Sequence, residues 1–339
     1  MSFEDLVNKV DIKLVELIPD TNICIYLRDL YKEPSSIVKR EAIWNELRDL
    51  LRNIENNDVL IDYSLGIEEA CRSLSNFEIN FDKLNDMKNS IKHLFEMNYF
   101  EMLEHSKLIK FDPPIKDQTF KSPSKLDSLE SVSTFQGLLF VNYACLMKLF
   151  LLRNSNPSEN NADLMIDYLR FVQSEVDLFS TSTTLFAHFY MSGNSSITNL
   201  LHKSKSKKIE DRIHTFWNAA IDLTFPALVS QQFIKNNTIP VFVTADERLR
   251  QIFDAMKIRV MINNGSEIAL PPLVEVDLSK TNWSNTELDK INRYYDKIMF
   301  SRKLKFINGS FNEEKLINKL RALCLLLEKE IKNHFELQA

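Results

Sequence analysis

Glycine and proline are scarce in this 339-residue chain, at five and ten residues. An all-β sandwich needs many tight turns, so this scarcity, beside abundant Leu, Lys, Glu, Asn and Ile, excludes it and favours long helices. Cysteine is equally sparse. Cys24, Cys71, Cys145 and Cys324 lie far apart and form no CxxC pair, which excludes a zinc ribbon or a dithiol redox motif and leaves reduced, buried thiols. There is no surplus of positive charge: the net charge of -5 excludes a globally basic nucleic-acid binder, though not a local basic strip. Long apolar runs are also missing. The longest, "GLLFVNYACLMKLFLL" at 137–152, is short for a membrane span and carries Asn142 and Lys148, and "MSFEDLVNKV" has no apolar signal-like segment. The expectation is a soluble, cytoplasmic protein without a membrane partner. The six histidines have no ligand-like spacing, and no repeat of twenty to fifty residues is visible.

What is present is strand and helix in alternation near both ends of the chain, around a mostly helical middle. Residues 12–18 read as a strand closed by Pro19, and "NICIYLRDLY" resumes with helical spacing. A helix follows over 41–56, with Ile43, Leu47, Leu50, Leu51 and Ile54 on one face, then a short strand "DVLIDYS" at 58–64. From Ser64 the apolar positions Ile67, Ala70, Cys71 and Leu74 again have helical spacing. Residues 76–110 read as helical, 110–133 as a loop with two proline turns, and 134–200 as long helices broken at "RNSNPSENNAD". A helix from about Asp211 runs towards Pro226, and "IPVFVTADERLRQIF" and "IRVMINN" give strand, helix, strand. This order predicts an α/β fold with a parallel central sheet flanked by helices, and in such sheets ligand sites form at the carboxyl ends of the strands.

Four carboxylates stand out. Asp20 follows the first strand; it suits either an N-cap, its side chain satisfying an orphan amide, or one corner of a metal site. Asp246 follows the strand "VFVT", and Thr244 with Glu247 reads as a capping box that leaves Asp246 to point elsewhere. A helix-dipole role for Asp246 stands beside that. Asp222 lies among apolar neighbours in "NAAIDLTFPALV", where an ionised carboxylate needs an arginine or a metal as partner. Glu68 and Glu69 are about 100° apart on their helix, so at most one can aim at a shared site, and both can equally form a solvated face. Clustered carboxylates tolerate one another when protons or divalent cations neutralise them, and oxygen-only ligands suit Mg²⁺ or Mn²⁺.

"LIPDTNICIYL" together with "VFVTADERLRQIF" resembles the first and last motifs of PIN-domain nucleases, which pair a strand-terminal Asp-Thr-Asn with a later Thr-x-Asp. Glu69 in "SLGIEEACR", flanked by Ile67 and Ala70, is similar to the second acid of that family, with Glu68 as the alternative, and Asp222 to the third. The resemblance covers residues 12–74 and 211–263. It implies a nuclease core over 1–75 and 205–265, a helical insertion over 76–204 and a helical extension over 266–339. It further implies Asp20, Glu69, Asp222 and Asp246 as catalytic metal ligands for Mg²⁺ or Mn²⁺, with Asn22 and Thr244 as polar helpers. The activity implied is hydrolysis of phosphodiesters, most often in RNA and less often in structured DNA, leaving a 5′-phosphate and a 3′-hydroxyl. A scaffold that no longer cleaves and binds a partner protein is the competing reading.

Two further segments bear on partners. "HKSKSKK" at 202–208, with Lys203, Lys205, Lys207 and Lys208, offers phosphate contacts to a nucleic acid, as do Lys121 and Lys125; a solvated loop is the commoner fate of such a run. In the tail, Leu316, Leu320, Leu323, Leu327 and Ile331 make a near-heptad stripe. It suits a partner helix, in a homodimer or another protein, or the chain's own insertion.

Overall fold

Val15–Pro19 forms β1, a five-residue strand buried along its whole length. Apolar residues on both faces are what a strand enclosed in a parallel sheet requires. β1 is the centre of a three-stranded sheet, paired in parallel with β2 (Leu60–Ile61) on one side and β3 (Ile239–Val243) on the other. The computed structural model of the protein describes residues 15–57, 59–71, 79–112, 125–155, 160–194, 201, 209–236, 239–260, 273–307 and 313–336. The fold is broadly α/β and predominantly helical.

Two compact units divide the chain: residues 1–124 with 229–246, and 125–228 with 247–339. In the first, β1 leads into α1 (Thr21–Lys32), followed by α2 (Pro34–Val38), α3 (Glu41–Asn57), β2, α4 (Ser64–Cys71), α5 (Phe81–Phe95) and α6 (Tyr99–His105). Helix α1 is capped by Asp20, and its residues Ile23, Cys24, Leu27, Leu30 and Tyr31 turn inward. They pack with Leu47, Leu51, Ile67, Cys71, Met87, Ile91 and Leu94 in one core, each large aliphatic side chain stabilising by about 1.5–3 kcal/mol. Helices α5 and α6 thus share the core of the sheet's own helices. Both lie within 76–204, the stretch that the family resemblance implies as an insertion.

The second unit holds α7 (Lys125–Ser155), α8 (Asn161–Phe171) with a wider π turn at Val172–Val176, α9 (Thr181–Met191) and most of α10 (Ile209–Asn236). It continues with α11 (Glu247–Asp254), β4 (Met256–Val260), β5 (Leu273–Val276), α12 (Asn285–Ile307) and α13 (Glu313–Glu336). The segment Gly137–Ser155 of α7 is long and apolar enough to cross a membrane, and 67% of its most apolar stretch is buried inside the protein. Asn142 and Lys148 within it are accommodated locally. Asn142 donates to the Thr224 hydroxyl at 2.8 Å and accepts from Thr183, and the Lys148 ammonium lies over the Phe171 ring.

Four sequence expectations need correcting. The strand read over 58–64 is only Leu60–Ile61, because Asp62 already turns the chain into α4. Helix α7 begins at Lys125, inside the stretch 110–133 read as a loop. Pro226 does not end its helix: α10 runs through it to Asn236, forgoing the one amide that Asp222's carbonyl would otherwise receive. Finally, β4 does not join the parallel sheet but pairs antiparallel with β5 in the second unit. The apolar stripe of α13 also has its partner. Leu320, Cys324, Leu327 and Ile331 are buried against α7, with the Tyr143 hydroxyl donating to Glu328 at 2.9 Å and the Cys324 thiol to the Phe140 carbonyl at 3.5 Å.

Candidate active site

The carboxyl edge of the three-stranded sheet is built by register. Pro19 stands opposite Val243, so the residues that follow, Asp20 on one strand and Thr244 to Asp246 on the other, emerge side by side. The Asp20 amide donates to the Val243 carbonyl at 2.9 Å, extending the ladder by one bond. One carboxylate oxygen of Asp20 accepts from the Ile23 amide at 2.7 Å, the N-cap bond of α1. The other accepts from the Thr244 hydroxyl at 2.6 Å. Asp20 is therefore both a cap and a member of a polar edge.

Asp20 is 4% exposed. Burial pushes its pKa up; the bonds from Thr244 and from the Ile23 amide pull it down, the charge of Asp246 pushes it up again, and the Asn22 amide lowers it. Desolvation wins, as expected for a carboxylate taken out of water. Asp246 is thus close enough to act on Asp20 electrostatically. Its presentation differs from the capping box read in the sequence. The Thr244 oxygen accepts from the Asp246 amide at 3.0 Å, and α11 starts at Glu247, so Asp246 itself holds the position before the helix.

The third acid of this edge arrives on α4. Gly66 lets that helix approach: a Cβ there would lie 2.6 Å from the Cys24 sulfur and 2.8 Å from the Pro19 carbonyl oxygen. With the helix so close, the Thr21 hydroxyl donates to the Glu69 carboxylate and lies 3.3 Å from the Gly66 carbonyl. Burial raises the pKa of the Cys24 thiol strongly, and the charges of Asp20, Glu69 and Asp62 push it in the same direction. The charges of three carboxylates thus act on one buried, protonated thiol.

The sequence-derived candidates separate accordingly. Asp20, Glu69, Asp246 and Thr244 belong to one edge in the first unit. Asn22 is exposed and contributes its backbone amide to Asp20. Glu68 acts on Cys71 together with Lys83, Arg28 and Asp86, on the side of α4 that meets α5. Asp222 lies half-buried on α10 in the second unit, between buried Ile221 and Leu223. Lys203, Lys205, Lys207 and Lys208 lie outside the described residues, as does Lys121. Two further residues belong to the edge: Thr21, where the sequence points to Asn22, and Asp62, which follows β2 beside β1 and whose side chain accepts from the Ser64 amide at 2.9 Å.

Among the described residues, no group of three or more His, Cys, Asp or Glu side chains is already arranged to hold a metal ion. The donors that come together at this edge are nevertheless all hard oxygens, and Mg²⁺ needs only one or two protein carboxylates when water and phosphate complete its shell. Asp20 offers about four acceptor directions, two of them taken by the Ile23 amide and the Thr244 hydroxyl. By donor chemistry the edge fits Mg²⁺ or Mn²⁺. No family model, no curated protein and no solved structure matches this chain.

Proposed function

We propose that the first unit is the core of a metal-dependent nuclease of PIN-like fold, in which Asp20, Glu69 and Asp246 hold Mg²⁺ or Mn²⁺ and the substrate is a nucleic acid, RNA before DNA. The observation that carries this reading is the register of β1 with β3. It brings Asp20-Thr21-Asn22 and Thr244-Ala245-Asp246, distant by more than two hundred positions, to one strand edge where the charge of Asp246 raises the pKa of Asp20. When bound, such a cation supplies Lewis acidity towards a phosphodiester and a more acidic water. The chain's own residues hold and orient. Thr244 fixes Asp20, α1 supplies the Ile23 amide to the same carboxylate, and Thr21 holds Glu69.

One observation favours a second reading, a non-cleaving scaffold. Each Asp20 oxygen already has a structural partner in the chain, and Glu69 is engaged by Thr21. These bonds stabilise the sheet edge whether or not a cation is present.

The two readings separate on incubation of the purified chain with single-stranded RNA, single-stranded DNA and a flapped duplex, in Mg²⁺, in Mn²⁺ and in EDTA. Cation-dependent cleavage with 5′-phosphate ends supports the nuclease, and its rate on the three substrates ranks RNA against DNA. Intact substrates in every buffer support the scaffold.

A further inference from the structure

Thr21 occupies the first helical position of α1, directly after Asp20. Its hydroxyl is partly buried, and its two acceptors, the Gly66 carbonyl and the Glu69 carboxylate, lie three residues apart on one face of α4. The donation to Glu69 is charge-assisted, a class of bond about twice as strong as a neutral one. It uses one of the roughly four acceptor directions of that carboxylate. Threonine suits the task because its branched side chain has few accessible χ1 states, whereas glutamate loses much rotamer freedom when held still. The contact exists only because Gly66 has no Cβ to keep α4 away from Pro19 and Asp20.

We infer that Thr21 is a positioning residue: its hydroxyl orients the Glu69 carboxylate on the Asp20 edge and thereby sets the affinity of that edge for a divalent cation. The inference rests on the reading of this edge as a cation site. Asn22, next in the chain, is exposed, and the charge of Glu68 acts on Cys71. Partners that orient a metal ligand change affinity by about 10- to 100-fold when removed.

The test is Mn²⁺ affinity of the full chain, read by electron paramagnetic resonance of the free ion, for wild type, Thr21→Val, Thr21→Ala, Thr21→Ser, Glu69→Gln and the double variant Thr21→Val/Glu69→Gln. Metal-free thermal melts run alongside, and alanine beside valine guards against a packing defect peculiar to one substitution. The inference requires Thr21→Val and Thr21→Ala to weaken Mn²⁺ binding by about 10-fold or more. Thr21→Ser should bind close to wild type, and Thr21→Val should add nothing in the Glu69→Gln background. Wild-type affinity in both Thr21→Val and Thr21→Ala, an equal loss in Thr21→Ser, or a full additional loss in the double variant overturns it while leaving the cation reading intact. A wild-type chain that binds no Mn²⁺ removes the cation reading and this inference with it.

Discussion

Thr244 donates its hydroxyl to Asp20 at 2.6 Å, joining the ends of two neighbouring parallel strands across 224 positions of sequence. The bond reaches a carboxylate that is desolvated and stands near a second negative charge, that of Asp246. Its removal by Thr244→Val should cost about 1–3 kcal/mol at neutral pH, because a buried acceptor loses a donor. Urea unfolding at pH 7 measures this; an unchanged midpoint would mean that water replaces the hydroxyl without loss.

Asp20→Asn should leave metal-free stability equal or higher. The folded-state pKa of Asp20 is raised, so the native state binds more protons than the unfolded chain, and stability falls as pH rises from the unfolded value through the folded one. Above that window the ionised group is a net burden that asparagine lacks, while its carbonyl still accepts from Ile23 and its amide can donate to Thr244. Thermal melts in EDTA at pH 7 check the direction. A marked fall in Tm would show that the charge itself stabilises the edge.

Gly66→Ala should destabilise the first unit. Helix propensity alone favours alanine by about 1 kcal/mol. Against it stands a Cβ 2.8 Å from a backbone carbonyl that cannot swing away, an overpacking cost of about 1–3 kcal/mol or more. The clash should win. Adding Cys24→Ala should recover only the part due to the sulfur, which differential melting of the single and double variants would separate.

His188 gives the second unit an acid sensitivity. Burial lowers its pKa to about 4, and its Nδ1 has no hydrogen-bond partner among the described residues. A depressed histidine pKa means that the unfolded state binds the extra proton. Stability is therefore full above the unfolded value near 6.5 and falls as pH drops towards 4, by roughly 3 kcal/mol at most. His188→Gln should flatten unfolding midpoints between pH 6.5 and 4; an unaltered pH profile would assign the acid sensitivity to other groups.

Removal of α13, by a stop after residue 312, should expose the α7 face that Leu320, Leu327 and Ile331 cover. Aggregation or a lost cooperative transition is expected. A soluble, folded, truncated chain of half the wild-type mass in light scattering would instead make this helix a dimer contact.

The strand at Val15–Pro19, the helix after Asp20 and the stripe of α13 were legible in the sequence because each depends on local periodicity. What was not legible depends on three-dimensional neighbours. Thr21 and Asn22 are both small and polar; only the approach of α4, allowed by Gly66, makes Thr21 the one that reaches Glu69. Thr244 reads as the start of a capping box, yet the neighbouring strand offers it the Asp20 carboxylate instead. Asp62 carries a readable signal, an aspartate at a strand end two residues before a serine, but a two-residue strand has too little alternation to announce itself. The strand β4 has the apolar pattern of a sheet member, and pattern alone does not name its partner.

The most direct test of the central claim is the initial rate of single-stranded RNA cleavage in Mn²⁺ by the wild-type chain, Asp20→Asn and Asp246→Asn, with EDTA as the zero. The account predicts cleavage by wild type that EDTA abolishes, and loss of about 100-fold or more in each variant, since removal of one charged group acting on the transition state commonly costs that much. Variants that cleave as fast as wild type, or a wild type that cleaves equally in EDTA, would contradict it.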